Sequence, residues 1–309
     1  MKLSRRAFIG GACASIPVLS AGAGLAMADT TSDVEYTAYD VALPARAEKL
    51  DGIKIAFLTD IHFGSASPPK MLEQIIQKVN AAAVDLVLLG GDNLFIPSSA
   101  LALGTSTVRN PRYAHGSLRV KAKLIYHDLA SLLSTLNARY GVFSVYGNHD
   151  HWIEPKLLRA AYRDTGIAHH ANHIEDIMIR DTRLRLMMID DYLTGIPRPP
   201  EIPRMIEENE YRVVLTHNPD LYGKLLALPD VAFDLGLSGH THGGQIELPW
   251  IGALSYRIRD LRFWKGWTKL GETQFFTSRG IGVVEIPYRI NCRPEVAFLT
   301  LRASSVTPV

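Results

Sequence analysis

Two short blocks in this chain pair metal-ligating side chains at a spacing of two: Asp60-Ile61-His62 and His240-Thr241-His242. Between them lie Gly91-Asp92-Asn93, Gly147-Asn148-His149-Asp150 and a lone His217. Asp60, Asp92, Asn148 and five of the eleven histidines (His62, His149, His217, His240 and His242) form one candidate set. Imidazole with carboxylate suits borderline divalent metals such as Mn, Fe, Co or Zn. A calcium or magnesium cage would be all oxygen, and a structural zinc site would use cysteine. The set exceeds what one tetrahedral ion takes and suits two ions sharing a carboxylate.

Such residues act together only if the fold carries them to one place. Short apolar runs at 53–59, 85–89, 141–146, 184–189, 211–216, 234–238, 275–277 and 296–301 read as strands. Helical spacing at 70–82, 124–139 and 156–164 alternates with them, so the fold class is α/β. Residues 29–49 read as an extended lead-in, and 97–123, rich in Ser, Pro, Gly and Arg, as a long loop or cap. Five strand ends carry the polar set: Asp60/His62, Asp92, Asn148/His149, His217 and His240/His242. Open α/β sheets bind ligands at the carboxyl ends of their strands, so distant stretches can meet at one edge. His240 and His242, if on a strand, would point to one face.

The ordered blocks D-x-H, G-D, G-N-H-[DE], a lone H and G-H-x-H resemble the calcineurin-like metallophosphoesterase family, and all five are present without substitution. Gly243-Gly244-Gln245 with Ser278-Arg279-Gly280 is similar to its exported bacterial branch. The resemblance implies two packed mixed sheets flanked by helices, a four-layer sandwich. It implies that Asp60, His62 and His242 hold a first metal, that Asn148, His217 and His240 hold a second, and that Asp92 bridges them. His149 would then protonate the leaving oxygen, with Asp150 orienting its imidazole. Asn93, Trp152 and Arg279 are left as candidates for substrate contact. Two such ions would make hydroxide available at neutral pH, and a general acid adds ~10²–10⁴-fold.

Composition bounds the rest. The chain has 309 residues, 47% hydrophobic and 21% charged, an ordinary globular balance that excludes a disordered or fibrous protein. Its formal charge is +2. Removing Lys2, Arg5 and Arg6 leaves 30 basic against 31 acidic residues, which disfavours nucleic acid as a partner. Residues 1–28 have a basic start, an apolar Gly/Ala-rich stretch and Ala26-Met27-Ala28, an A-x-A cleavage site. Ser4-Arg5-Arg6-Ala7-Phe8-Ile9 resembles the twin-arginine export signal. The expected layout is therefore an export signal at 1–28, a lead-in at 29–50 and a metallophosphoesterase domain at 51–309. The twin-arginine machinery would be a partner, and the destination the periplasm or outer face of the cytoplasmic membrane. Of Cys13 and Cys292, only the second would survive cleavage, so no intramolecular disulfide is expected.

Residues 250–267 interleave Trp250, Tyr256, Phe263, Trp264 and Trp267 with Arg257, Arg259, Arg262 and Lys265. They read as a strand and loop packed on the core, or as a rim for peripheral membrane contact. Arg109, Arg112, Arg119, Lys121 and Lys123 read as a solvated loop or as added phosphate-facing charge, and His169, His170 and His173 as a solvated turn. The expected activity is hydrolysis of phosphate esters, diesters before monoesters. Substrates would be phospholipid headgroups, nucleotides or envelope glycolipid diphosphates like UDP-diacylglucosamine. The competing reading is a non-catalytic metal-holding scaffold, against which the retained His149 argues.

Overall fold

The computed structural model describes residues 29–64, 69–96, 117–199, 205–229 and 231–303. The expected export signal at 1–28, with Arg109 and Arg112, lies outside the described residues.

Two six-stranded sheets pack face to face. The first runs in the order β1 (Glu35–Leu43), β14 (Glu295–Ala303), β2 (Lys54–Leu58), β3 (Leu86–Leu89), β4 (Val142–Ser144) and β5 (Ile167–His169). The second runs β12 (Gly266–Leu270), β13 (Thr273–Thr277), β9 (Leu235–Ser238), β8 (Glu210–Leu215), β7 (Thr182–Met188) and β6 (His173–Ile179). Each has a parallel centre, β2-β3-β4-β5 in one and β13-β9-β8-β7 in the other, beside antiparallel neighbours. A hairpin, β10 (Glu247–Leu248) with β11 (Gly252–Ala253), stands apart from both.

The two-residue period of a strand assigns each side chain to a layer. Ile55 and Phe57 of β2, Leu86 and Leu88 of β3, Val213 and Leu215 of β8, and Leu235 and Leu237 of β9 fill the space between the sheets. Ala56, Leu58, Val87 and Leu89 face the other way, against α1 (Pro69–Ala81) and α2 (Leu118–Leu133). Val214 and Met187 turn outward in the second sheet, toward α5 (Leu221–Leu226). Burial on both faces explains why these strands are mostly apolar, with the buried Glu210 and Arg212 of β8 as exceptions. The layers are helix, sheet, sheet, helix, the mixed α/β sandwich expected.

Three expectations change. The lead-in is a nine-residue strand, β1, parallel to β14 along its whole length, followed by a 3-10 turn at Ala45–Leu50. Helix α2 begins inside the segment read as a loop, because Ser117 caps it: its Oγ accepts from Val120 N. Ala122, Ile125, Tyr126, Leu129 and Leu133 then carry the buried face. Finally, His169 and His173 are on strands, not a solvated turn. His169 is buried, its Nδ1 is 3.0 Å from Ser144 Oγ, and His170 stacks on His173.

Candidate metal centre

Every residue of the metal set sits just beyond the carboxyl end of a parallel strand: β2, β3, β4, β8 and β9. The loops after β2 and β3 stay in register, with Asp60 N donating to Gly91 O and His62 N to Asp92 O. Asp60, His62, Asp92, His240 and His242 all have φ between 47° and 70°. Left-handed backbone is costly for non-glycine residues and collects at functional sites. It is also what turns the side chains at the strand ends. His240 and His242 lie past the end of β9 on such backbone and point into different clusters, so the one-face strand reading does not apply.

Glycines let these loops approach. A Cβ on Gly147 would stand 2.1 Å from Asp92 Oδ1, and one on Gly239 2.2 Å from Asp60 Oδ2. Among the described residues the side chains form two buried groups, Asp60 with His62 and His242, and Asp92 with His217 and His240. In the first, His62 Nε2 is 3.0 Å from His242 Nε2, which is 3.2 Å from Asp60 Oδ1. In the second, His217 Nε2 is 3.1 Å from Asp92 Oδ2 and 3.3 Å from His240 Nδ1. Asp92 Oδ2 also lies 3.6 Å from His62 Nε2, so this carboxylate stands between the groups.

These donors fit a pair of divalent cations. Asn148 Oδ1 is buried without a hydrogen-bond partner, a costly state for an amide oxygen unless a cation takes it. His217 Nδ1 donates to Gly90 O and His240 Nε2 faces Arg257 O, which leaves the opposite ring nitrogen of each turned into the site. The electrostatics agree. Burial opposes charge on Asp60 and Asp92, yet the facing histidines outweigh it and hold both carboxyls below the ordinary range. Burial likewise opposes charge on His217, but Asp92 and Asp60 push its pKa up to about 10. The site favours positive charge at its centre.

His149 forms a wall of the cleft above this centre. Its backbone N donates to Asp92 Oδ1, and its Nε2 is 4.0 Å from Asp92 Oδ2. Burial lowers its pKa. Trp152 packs edge-on to it at 4.7 Å. The cleft, about 270 Å³, is also lined by Leu193, Arg257, Val284 and Glu285.

Three expectations are corrected here. Asp150 does not touch the His149 ring; its carboxylate accepts from Gly147 N, Asn93 N, Asn93 Nδ2 and Tyr126 OH and braces the loop that carries Asn148. Burial pushes its pKa up to about 6. Asn93 is consumed in that bracing, its Oδ1 accepting from Tyr162 OH, and is not at the cleft. Arg279 is tied to Glu35 and Glu295 and is likewise absent from the cleft lining. The cleft cation is Arg257, whose only sequence signal was its place among the aromatic residues. Buried Arg289, which binds the loops behind the site, carried no sequence signal.

A family model described as Calcineurin-like phosphoesterase matches residues 53–244. The uncharacterized metallophosphoesterase YkuE of Bacillus subtilis strain 168 is 26% identical over 310 residues, covering 98% of this chain and 99% of its own. Phosphodiesterase YaeI of Escherichia coli strain K12 is 30% identical over 251 residues, covering 80% and 82%. UDP-2,3-diacylglucosamine pyrophosphatase LpxG of Chlamydia muridarum is 23% identical over 262 residues, covering 70% and 71%.

Proposed function

The chain belongs to the calcineurin-like phosphoesterase family, and from that premise we propose that this metal-dependent phosphoesterase cleaves phosphodiesters or diphosphates on envelope lipids or glycolipids. One observation carries the reading: two His/Asp clusters lie side by side, with Asp92 of one 3.6 Å from His62 of the other, beneath a cleft walled by His149. Two divalent ions, of Mn, Fe, Zn or Co, would supply Lewis acidity toward a phosphate oxygen and an activated water at neutral pH. Asp60, His62 and His242 would hold one, and Asn148, His217 and His240 the other, with Asp92 between.

The chain's own groups do the remaining work. His149 would deliver a proton to the departing oxygen, and Trp152 packs edge-on against its ring. Arg257 brings a positive charge to the phosphate side of the cleft. Trp152, Leu193 and Val284 give it an apolar wall, which suits a second ester substituent and favours a diester over a monoester. YaeI is named a phosphodiesterase and LpxG a pyrophosphatase of an acylated UDP-sugar, which supports both the bond type and the lipid. Residues 1–28 would serve as a twin-arginine export signal ahead of the catalytic domain, whose first sheet already includes β1. This route would deliver the folded protein to the periplasm or the outer face of the cytoplasmic membrane.

The test compares bis-p-nitrophenyl phosphate with p-nitrophenyl phosphate at saturating Mn²⁺. The diester is expected to give the higher kcat/KM, and His149→Ala to lower kcat by ~10²–10⁴-fold with metal content unchanged. A faster monoester overturns the diester reading. Turnover equal to that of His149→Ala returns the scaffold reading. Arg5→Lys with Arg6→Lys is expected to keep the protein in the cytoplasm.

A further inference from the structure

The β10–β11 hairpin ends in an exposed turn. Trp250 is 94% exposed and Ile251 71%, and Leu254 just after the hairpin is exposed too. The neighbouring segment 284–290 is stitched to the hairpin's base. Gln245 Nε2 donates to the carbonyls of Val284, Ile286 and Tyr288, Glu247 N donates to Ile290 O, and Asn291 Nδ2 donates to Glu247 O. That segment adds Ile286 and Tyr288, both exposed. The same two stretches supply Arg257, Val284 and Glu285 to the cleft, so the apolar rim borders the phosphoesterase site.

We infer that this rim seats the protein on an anionic lipid bilayer, with Trp250 and Ile251 inserted among the headgroups and the cleft brought to the surface. The choice of occupant rests on shape and charge. A nearly fully exposed tip projects, whereas a stable protein interface buries about 800 Å² per partner on a complementary surface. A bilayer accepts a projecting wedge, and tryptophan with tyrosine is the pair that settles at the headgroup level. The charges around the rim sort themselves to match. Lys265 is paired with Glu247 and lies over the Trp264 ring, and Arg262 is paired with Asp260. Arg259 is exposed, and its side chain has no acidic partner among the described residues. Exposed Arg257 lies at the cleft beside Glu285. Arg259 is thus free for lipid phosphate, and insertion of the apolar tip supplies the main attraction. Docking rests on the phosphoesterase reading only for the claim that the cleft meets a lipid ester.

The experiment uses the full chain with vesicles of phosphatidylcholine alone or mixed with phosphatidylglycerol, read by sedimentation and by quenching of tryptophan with doxyl-labelled lipid. The expected result is tighter binding to the anionic vesicles. Replacing Trp250→Ser with Ile251→Ser should weaken it by roughly tenfold or more, since both apolar side chains leave the interface. Arg259→Gln should narrow the gap between the two vesicle types. Turnover of soluble bis-p-nitrophenyl phosphate should be unchanged in all of them, which separates failure of docking from failure of the phosphoesterase reading. Equal vesicle binding by the wild type and the Trp250/Ile251 variant overturns the inference. So does a concentration-dependent dimer that the same variant abolishes, because the tip would then serve a second copy of the chain.

Discussion

Arg289 is a guanidinium cut off from water, so its surroundings must satisfy every donor. Nε donates to Gly282 O, Nη2 to Gly282 O and Arg279 O, both at 2.7 Å, and Nη1 to His242 O. One planar fork thereby locks the loop after β13 to the loop that carries His242. Arg289→Met would take the guanidinium donor from Gly282 O and Arg279 O, while His242 O keeps Gln245 N, and unfolding in denaturant should show a loss of ~3–5 kcal/mol. Arg289→Lys should recover only part of it, because a point ammonium cannot span the same acceptors. Gly239 makes a different demand at the same scale. Its missing Cβ is the space that Asp60 Oδ2 and Thr59 Oγ1 occupy, each 2.2 Å from where it would stand. Gly239→Ala should weaken metal binding at least ~10-fold in a titration, as displacing a first ligand or its support typically does. Gly271 is the control: its φ is +59°, but a Cβ there meets nothing within 4 Å. Gly271→Ala should lose only the ~1–2 kcal/mol of left-handed strain and keep its metal.

Among the elements, α3 (Asn148–Ile153) joins the site to the second sheet, whereas α4 (Pro155–Tyr162) packs on α2 and on β5 of the first. His151 of α3 contacts Asp190, past the end of β7, at 2.7 Å between Nε2 and Oδ1. Burial opposes charge on both, yet the hydrogen bond outweighs it, raising the pKa of His151 and lowering that of Asp190. A raised histidine pKa contributes stability that is complete below the unfolded value of about 6.5 and fades as pH rises through the folded value. His151→Gln should therefore cost ~1–3 kcal/mol near pH ~6 and visibly less near pH ~9, measured by urea unfolding at each pH. A cost that grows with pH would show that the pair is not charged. The elements that deliver the metal set were legible in the sequence for a plain reason. Strands β2, β3, β4, β8 and β9 are buried on both faces, so each is mostly apolar up to its polar residue, with Arg212 of β8 and Ser144 of β4 as interruptions. Strand β1 was not legible because its outer face is wet, its inner face closes only with Val41 and Leu43, and its partner β14 lies at the far end of the chain. Asp150 was misread for a related reason: its partners Asn93 and Tyr126 come from elements the sequence places far away.

For the whole molecule, the decisive feature is that each metal cluster straddles the sandwich. Asp60 and His62 come from the first sheet and His242 from the second; Asp92 comes from the first and His217 with His240 from the second. A bound ion therefore ties one sheet to the other at their carboxyl edge. The apolar layer between the sheets, from Phe57 and Leu88 to Val213 and Leu237, ties them in the middle. Binding to the folded state alone stabilises it by ~2.7 kcal/mol for each ion at a hundred times its Kd. For a domain of this size that raises Tm by several degrees, about 2–4 °C per kcal/mol. Chelation should therefore lower Tm. Hydrogen exchange should quicken first in the loops after β2, β3, β8 and β9, and less in β14 and β2, which the inter-sheet core protects. Asp92→Asn tests the shared role, because this carboxylate stands between the clusters. It should remove most of the Mn²⁺-dependent rise in Tm, whereas His242→Ala, confined to one cluster, should leave part of it. Equal losses from the two variants would mean that the ions bind as one cooperative unit. A rise that survives Asp92→Asn would mean that the clusters fill independently.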